Sequence, residues 1–226
     1  FENEVLTMYD NIAVVVPALD TNQYYPDGDL VQFGDTTLLE WKISQVMGVA
    51  NKENIYISTP SDKIIDLVQG YGVNFVKRSQ GTDPSQWIKE SVEPIVNEFV
   101  LWTHVTSPFI SSGDYLRMLE TFFNLSKNHD SLITVYKERE YIFYKDVPLN
   151  FDIDQYKGRK EIEPVYRNTN GCYITPRENY RHNRKYFGRS PHYYQVDKLT
   201  SLEIKDIDHY EMALNLLSLY FKTKEI

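Results

Sequence analysis

Apolar positions along this chain keep two alternating rhythms. Ile12 to Pro17 (IAVVVP) is a continuous β-branched run, the pattern of a strand buried on both faces of a parallel sheet. From Thr37 to Val49, the residues Leu38, Leu39, Trp41, Ile43 and Val46 recur at helical spacing, with Thr36 or Thr37 placed to cap the helix. A second strand follows at Asn54-IYIS. Pro60 to Gly70 then reads as a helix capped by Ser61 and stopped at Gly70, and VNFVKR gives a third strand.

The alternation continues. Gln86 to Phe99 is amphipathic, and Phe99-VLWTHVT is a strand that runs into TSPFISSGDY. A helix is expected from Ser112 or Asp114 to about Asn128, then a strand at Asp130-SLITVYK. Between Glu138 and Val165 charged and aromatic residues interleave without a period, which predicts an excursion from the sheet. Gly171 to Thr175 (GCYIT) returns as a strand, and Tyr210 to Lys222 closes the chain as a helix. This succession predicts an α/β fold, a three-layer sandwich with a mainly parallel sheet of roughly seven strands and right-handed crossovers. The 226 residues are expected to form a single domain, residues 1–226.

A net charge of −8 argues against nucleic-acid or anionic-membrane binding, both of which need a basic face. The apolar run at Ile12 to Pro17 is far too short to span a bilayer, and no basic segment precedes it, so neither membrane insertion nor a signal peptide is expected. Cys172, the single cysteine, has no internal disulfide partner, which fits a cytoplasmic location. The chain starts at Phe1 rather than Met, as a trimmed or excised sequence would.

Candidate chemistry gathers where strands end, since open α/β sheets bind ligands at their carboxyl edge. After Pro17 and Ala18 the loop to Leu30 has neither lysine nor arginine and carries aspartates instead. Arg78 stands at the end of the third strand, as a nucleotide contact or a surface arginine. His104 is a general acid or base, or a polar group closing its strand. Thr106 and Ser107 would hydrogen-bond a sugar or phosphate, form a turn before Pro108, or do both. Asn170 and Gly171 mark a bend that brings backbone near a ligand, or a plain strand entry. The run Tyr180 to Tyr194 concentrates Arg181, Arg184, Lys185 and Arg189 among aromatics, either as an anion site or as a solvated or subunit-contacting face.

The order of these segments resembles the cytidylyltransferases that activate nonulosonic acids as CMP-sugars, the CMP-sialic acid synthetases and their relatives. That family opens with P-A-R-x-x-S-K-x-x-P-x-K-N. Here Pro17, Ala18 and Pro26 are kept, while Leu19, Asn22, Gln23, Gly28 and Asp29 stand for the arginine, serine, first lysine, second lysine and asparagine. FGDTTLLEW resembles l-x-G-K-P-L-I-x-W, and THVTSPF resembles Q-P-T-S-P-L with His104 for the glutamine. YRNTNGCYITP resembles Y-x-x-N-G-A-I-Y-I, and SLEIKDIDHYEMA falls where the family has S-I-D-I-D-T-x-x-D-F-x-x-A.

The resemblance implies a Rossmann-like, nucleotide-diphospho-sugar transferase (GT-A-like) fold and transfer of CMP from CTP to an acidic sugar, with pyrophosphate leaving. It implies nucleotide binding by Pro17, Ala18, Asn22, Gln23, Asp29 and Arg78, and sugar binding by His104, Thr106, Ser107 and Asn170. It also implies a homodimer through the 138–165 excursion. Mg²⁺ is the implied cofactor, but of the two family aspartates one is Glu203 and the other is Lys205, which as an ammonium offers no lone pair. Glu203 with Asp206, or with Asp208, either supplies two carboxylates to the ion or is a pair of solvated turn residues. A second functional class stays open: a paralogue that binds a nucleotide, sugar or protein partner without transfer.

Overall fold

The computed structural model describes residues 10–22, 25–81, 83–155, 157–183 and 185–223. Seven strands form one sheet: β1 (Ile12–Pro17), β2 (Ile55–Thr59), β3 (Asn74–Lys77), β4 (Phe99–Thr103), β5 (Ser131–Glu138), β6 (Val165–Pro176) and β7 (Pro191–Gln195). Their order across the sheet is β7-β5-β6-β4-β1-β2-β3. Every neighbouring pair is parallel except those of β6, which runs antiparallel to β4 and to β5. The α/β sandwich with a mainly parallel sheet is as the hydrophobic pattern predicts.

β1 lies at the centre because both of its faces are apolar. Ile12, Val14 and Val16 pack under helices α1 (Leu38–Met47), α2 (Asp62–Gln69), α4 (Ser112–Phe123) and α5 (Ile207–Thr223). Ala13 and Val15 face the other way, against Ile88 and Val92 of α3 (Pro84–Val92) and the rings of Trp102, Tyr173 and Tyr180. The alternation of side chains along a strand thus feeds two separate cores from one apolar run.

Local signals set the helix starts. Thr37 caps α1 in a reciprocal box with Glu40, Ser61 caps α2 through the Ile64 amide, and Ser111 with Asp114 forms a second box at α4. α4 stops at Phe123 rather than near Asn128, where the Asn124 amide turns back to Glu120. β6 starts at Val165, six residues before the predicted GCYIT strand, because Val165–Asn168 pair with the far end of β5 before the register slips. The segment after β6, where no element was expected, holds a helical turn (Asn179–Asn183) that buries Tyr180, and then the edge strand β7.

The excursion is a small unit of its own. A two-residue hairpin, Phe143–Tyr144 against Val147–Pro148, turns at Lys145 and Asp146, both with positive φ. Asn150 ties it back by donating to the Glu140 and Glu163 carbonyls. No helix of the described residues is long and apolar enough to cross a membrane.

Candidate active site at the β1 loop

β1 ends at Pro17, and the Ala18 amide makes one last bond to the Ser58 carbonyl of β2 before the chain leaves the sheet. The loop that follows is closed by two hydrogen bonds: Leu19 N donates to Asp29 Oδ2 at 2.8 Å, and Asp29 N donates to Leu19 O at 2.7 Å. Gly28 makes this closure sterically feasible. It has φ +53°, and a Cβ there would sit 2.4 Å from the Leu19 oxygen and 2.6 Å from the Thr21 nitrogen. The equivalence of Gly28 with a family lysine is therefore positional only: no side chain fits at that point of the loop.

Asn22 Oδ1 accepts from the Tyr25 amide, and Asp20 accepts from the Ser61 hydroxyl that caps α2. Gln23, expected to contact nucleotide, lies outside the described residues. Burial pushes the Asp29 carboxyl up to about 7, against the opposing pull of its Leu19 hydrogen bond and the Arg78 charge.

The loop forms one side of a cavity of about 510 Å³. Pro17, Ala18, Asn22, Asp29, Arg78, His104 and Thr106, seven of the residues singled out from sequence, line it together. Arg78 arrives as expected at the end of β3, with its guanidinium 5.0 Å above the Trp87 ring and Nη1 donating to the Ser79 carbonyl. Its Nε is buried without a hydrogen-bond partner.

His104 is a strut. Trp102 Nε1 can only donate, so His104 Nε2 accepts from it at 3.3 Å, which leaves the proton on Nδ1 to be donated to the Asn170 carbonyl at 2.8 Å. Burial holds the ring below its ordinary pKa, so it is neutral with both nitrogens occupied, an arrangement suited to fixing Asn170 rather than to moving protons. Asn170 adopts φ +53°, a conformation asparagine tolerates, and the bend at 170–171 is real: a Cβ on Gly171 would meet Ile110 at 2.6 Å. Ser107 is buried behind the wall, its hydroxyl 3.5 Å from the same Asn170 carbonyl, whereas Thr106 reaches the cavity.

The predicted metal pair does not form. Glu203 Oε1 accepts from Asn170 Nδ2 at 3.0 Å, and Lys205 Nζ stands 3.0 Å from Oε2, compensating its charge. Asp206 is turned to the start of α5, where its Oδ1 takes the His209 amide at 2.8 Å and the His209 ring at 2.6 Å. Among the described residues no three histidine, cysteine or carboxylate groups converge. This donor set does not fit a resident Mg²⁺, and no chemical step is assigned to one.

Three contributors escaped the sequence reading. Trp87 and Tyr186 line the cavity, and Tyr186 comes from the basic run, where it stacks on Tyr173 at 4.9 Å. Arg181 from the same run faces Glu178 and Glu93 instead. The third is Lys42, fully buried beneath the site. It donates to the Ser107 carbonyl and to Tyr115 Oη, both at 2.8 Å, and Tyr115 passes the chain through Thr103 to the Gly171 carbonyl. Lys42 lies four residues from both Leu38 and Val46, on the apolar stripe of its helix, and that position was the available signal.

A family model described as cytidylyltransferase matches residues 26–226. The chain belongs to the cytidylyltransferase family. Its curated relatives include the N-acylneuraminate cytidylyltransferases of Escherichia coli O18:K1:H7, 22% identical over 92% of this chain, and of Streptococcus agalactiae serotype V, 21% identical over 93%. The chain spans about half the length of those relatives, 52% and 54%. Among solved structures, a CMP:2-keto-3-deoxy-manno-octonic acid synthetase complexed with CTP superimposes with a TM-score of 0.68 at 12% identity, covering 92% of this chain and 98% of that one. A 4-diphosphocytidyl-2C-methyl-D-erythritol synthase from Anaerococcus prevotii does so with a TM-score of 0.64 at 15% identity, with the same coverages. Both likenesses bear out the fold.

Proposed function

We propose that this cytidylyltransferase activates an acidic, nonulosonic-type sugar by transferring CMP to it from CTP. The observation that carries the reading is the cavity of about 510 Å³ at the carboxyl edge of the parallel strands, where the β1 loop, Arg78 and Thr106 meet in a chain of this family. The anomeric hydroxyl of the sugar attacks the α-phosphorus of CTP. A new phosphorus–oxygen bond forms, the bond to the β-phosphate oxygen breaks, pyrophosphate leaves, and the hydroxyl proton passes to water.

Catalysis of this kind rests on positioning and charge stabilisation. Arg78 supplies a fixed positive charge, the loop amides supply donors, and Thr106 with the Asn170 bend holds the acceptor. A divalent ion would arrive as the counter-ion of the triphosphate, as part of the substrate. The proposed assembly is a homodimer through the 138–165 excursion, and the proposed location is the cytoplasm, where CTP is available.

The test is incubation with CTP, Mg²⁺ and either N-acylneuraminate or 2-keto-3-deoxy-manno-octonate, with pyrophosphate release and the CMP-sugar followed by mass spectrometry. Formation of a CMP-sugar with either acceptor supports the reading. Folded protein that releases no pyrophosphate with either acceptor overturns it.

A further inference from the structure

The cavity at the β1 loop is lined by two unlike sets of groups. The loop contributes Asp20 and Asp29, whose carboxyls accept from the Ser61 hydroxyl and the Leu19 amide. Trp87 and Tyr186 contribute an aromatic wall, their ring centroids 6.4 Å apart, with the Arg78 guanidinium 5.0 Å above Trp87. Among the described lining residues Arg78 is the one lysine or arginine.

We propose that the cavity recognises its nucleotide at the level of the nucleoside monophosphate: base and ribose pack on the Trp87–Tyr186 wall, one phosphate pairs with Arg78, and the outer phosphates add no affinity. The identity of the base rests on the cytidylyl-transfer reading above. Aromatic side chains hold a base through its π-face whatever its edge pattern. A guanidinium offers a planar fork that matches one phosphate. Phosphates beyond the first find no second lysine or arginine among the described lining residues and share the cavity with the Asp20 carboxylate instead. The part of the donor gripped in this way is the part that is transferred, so binding is concentrated on the group shared by CTP and the sugar nucleotide.

The experiment is calorimetric or tryptophan-fluorescence titration of the full chain with cytidine, CMP and CTP, in EDTA at matched ionic strength. CMP and CTP are expected to bind within about threefold of each other, with cytidine about tenfold weaker. Arg78→Met should bring CMP and CTP to the level at which the same variant binds cytidine. Trp87→Leu should weaken all three ligands by about tenfold. Tyr186→Leu provides an independent test of the wall if Trp87→Leu loses its circular dichroism signature. CTP binding more than about tenfold tighter than CMP overturns the inference while leaving cytidylyl transfer intact. The same monophosphate pattern with another base in place of cytosine supports the inference and overturns the cytidylyl reading. Absence of binding by any nucleoside monophosphate at millimolar concentration overturns the inference outright.

Discussion

Leu19 and Asp29 hold each other by two hydrogen bonds across the loop that follows β1, one through the Asp29 side chain and one through its amide. That clamp sets the path of the described residues between them, and Gly28 lets it close. Gly28→Ala is expected to destabilise the protein by about 2 kcal/mol or more, because a left-handed conformation is unfavourable for alanine and the added methyl meets backbone on three sides. Gly28→Lys should do the same without gaining affinity for phosphate. Urea unfolding measures both, and a loss below about 0.5 kcal/mol for alanine would show that the loop reshapes freely.

Asp29 and Lys42 give the stability profile two arms of opposite sign. The Asp29 carboxyl is raised by burial to about 7 from 3.8, so the stability it contributes is complete below about pH 4 and is lost as pH rises through 7. Asp29→Asn keeps an acceptor for the Leu19 amide and cannot ionise. It is expected to flatten the profile between about pH 4 and 8, and to exceed the wild type by on the order of 1–3 kcal/mol at the upper end. Chemical denaturation at stepped pH checks this, and a variant curve parallel to the wild type would refute it.

Lys42 supplies the other arm. Burial lowers its ammonium to about 7 from 10.5, so its contribution is present above pH 10.5 and is lost as pH falls through 7. Tyr115, Cys172 and His104 are the titratable groups that share its surroundings, and all three are neutral in that range. Lys42→Met strands the Ser107 carbonyl and leaves the Tyr115 hydroxyl with Thr103 alone, a loss of about 1–3 kcal/mol at pH 9. The same substitution removes a buried charge at pH 6, so the deficit should shrink or reverse there. A deficit constant across this range would mean that Lys42 does not titrate in the folded protein.

How far this was legible in the sequence differs from residue to residue. IAVVVP announces the central strand because a doubly buried strand has no polar alternation to disguise it. Thr37 and Ser61 announce helix starts because capping is local chemistry, and the start expected at Ser112 holds with Ser111 as its cap. Arg78 and Thr106 could be assigned to one cavity because strand ends converge at one edge of a parallel sheet. Tyr186 could not: its place depends on the turn at Asn179–Asn183 folding onto Trp102, a contact distant in sequence. β7 was hidden for the same reason, since its partner β5 begins sixty residues earlier. Glu203 and Asp206 failed as a metal pair because sequence proximity does not fix direction, and Asp206 turns to cap α5.

Lys205 decides whether Glu203 is available to a cation. Its ammonium sits 3.0 Å from Glu203 Oε2, so a divalent ion approaching that oxygen meets positive charge. Lys205→Asp replaces it with a hard oxygen ligand beside Glu203. Calorimetry of the nucleotide-free proteins should detect Mg²⁺ binding in the variant and none in the wild type at about millimolar concentration. Tight Mg²⁺ binding by the unmodified chain would show that the ion displaces Lys205.

The excursion carries the last prediction. Phe143, Tyr144, Val147, Leu149 and Ile153 are each more than half exposed, a concentration of apolar surface that a monomer seldom presents to water. The unit is braced from within: Asn150 bonds across it, Arg139 donates to the Ile162 carbonyl, and Phe151 packs on Tyr141 and Phe143. A surface held rigid in advance loses little entropy on association. A symmetric pair of such faces buries the same residues twice, which is the arrangement expected of a homodimer. Wild-type protein should therefore sediment as a dimer at about 10 µM, and Phe143→Ser with Val147→Ser should weaken the dimer at least about thirtyfold, near 2 kcal/mol. Both positions lie in the hairpin, outside the sheet, so the circular dichroism spectrum should not change. A wild-type monomer at that concentration, or an unaltered dimer in the double variant, would remove the excursion from the interface.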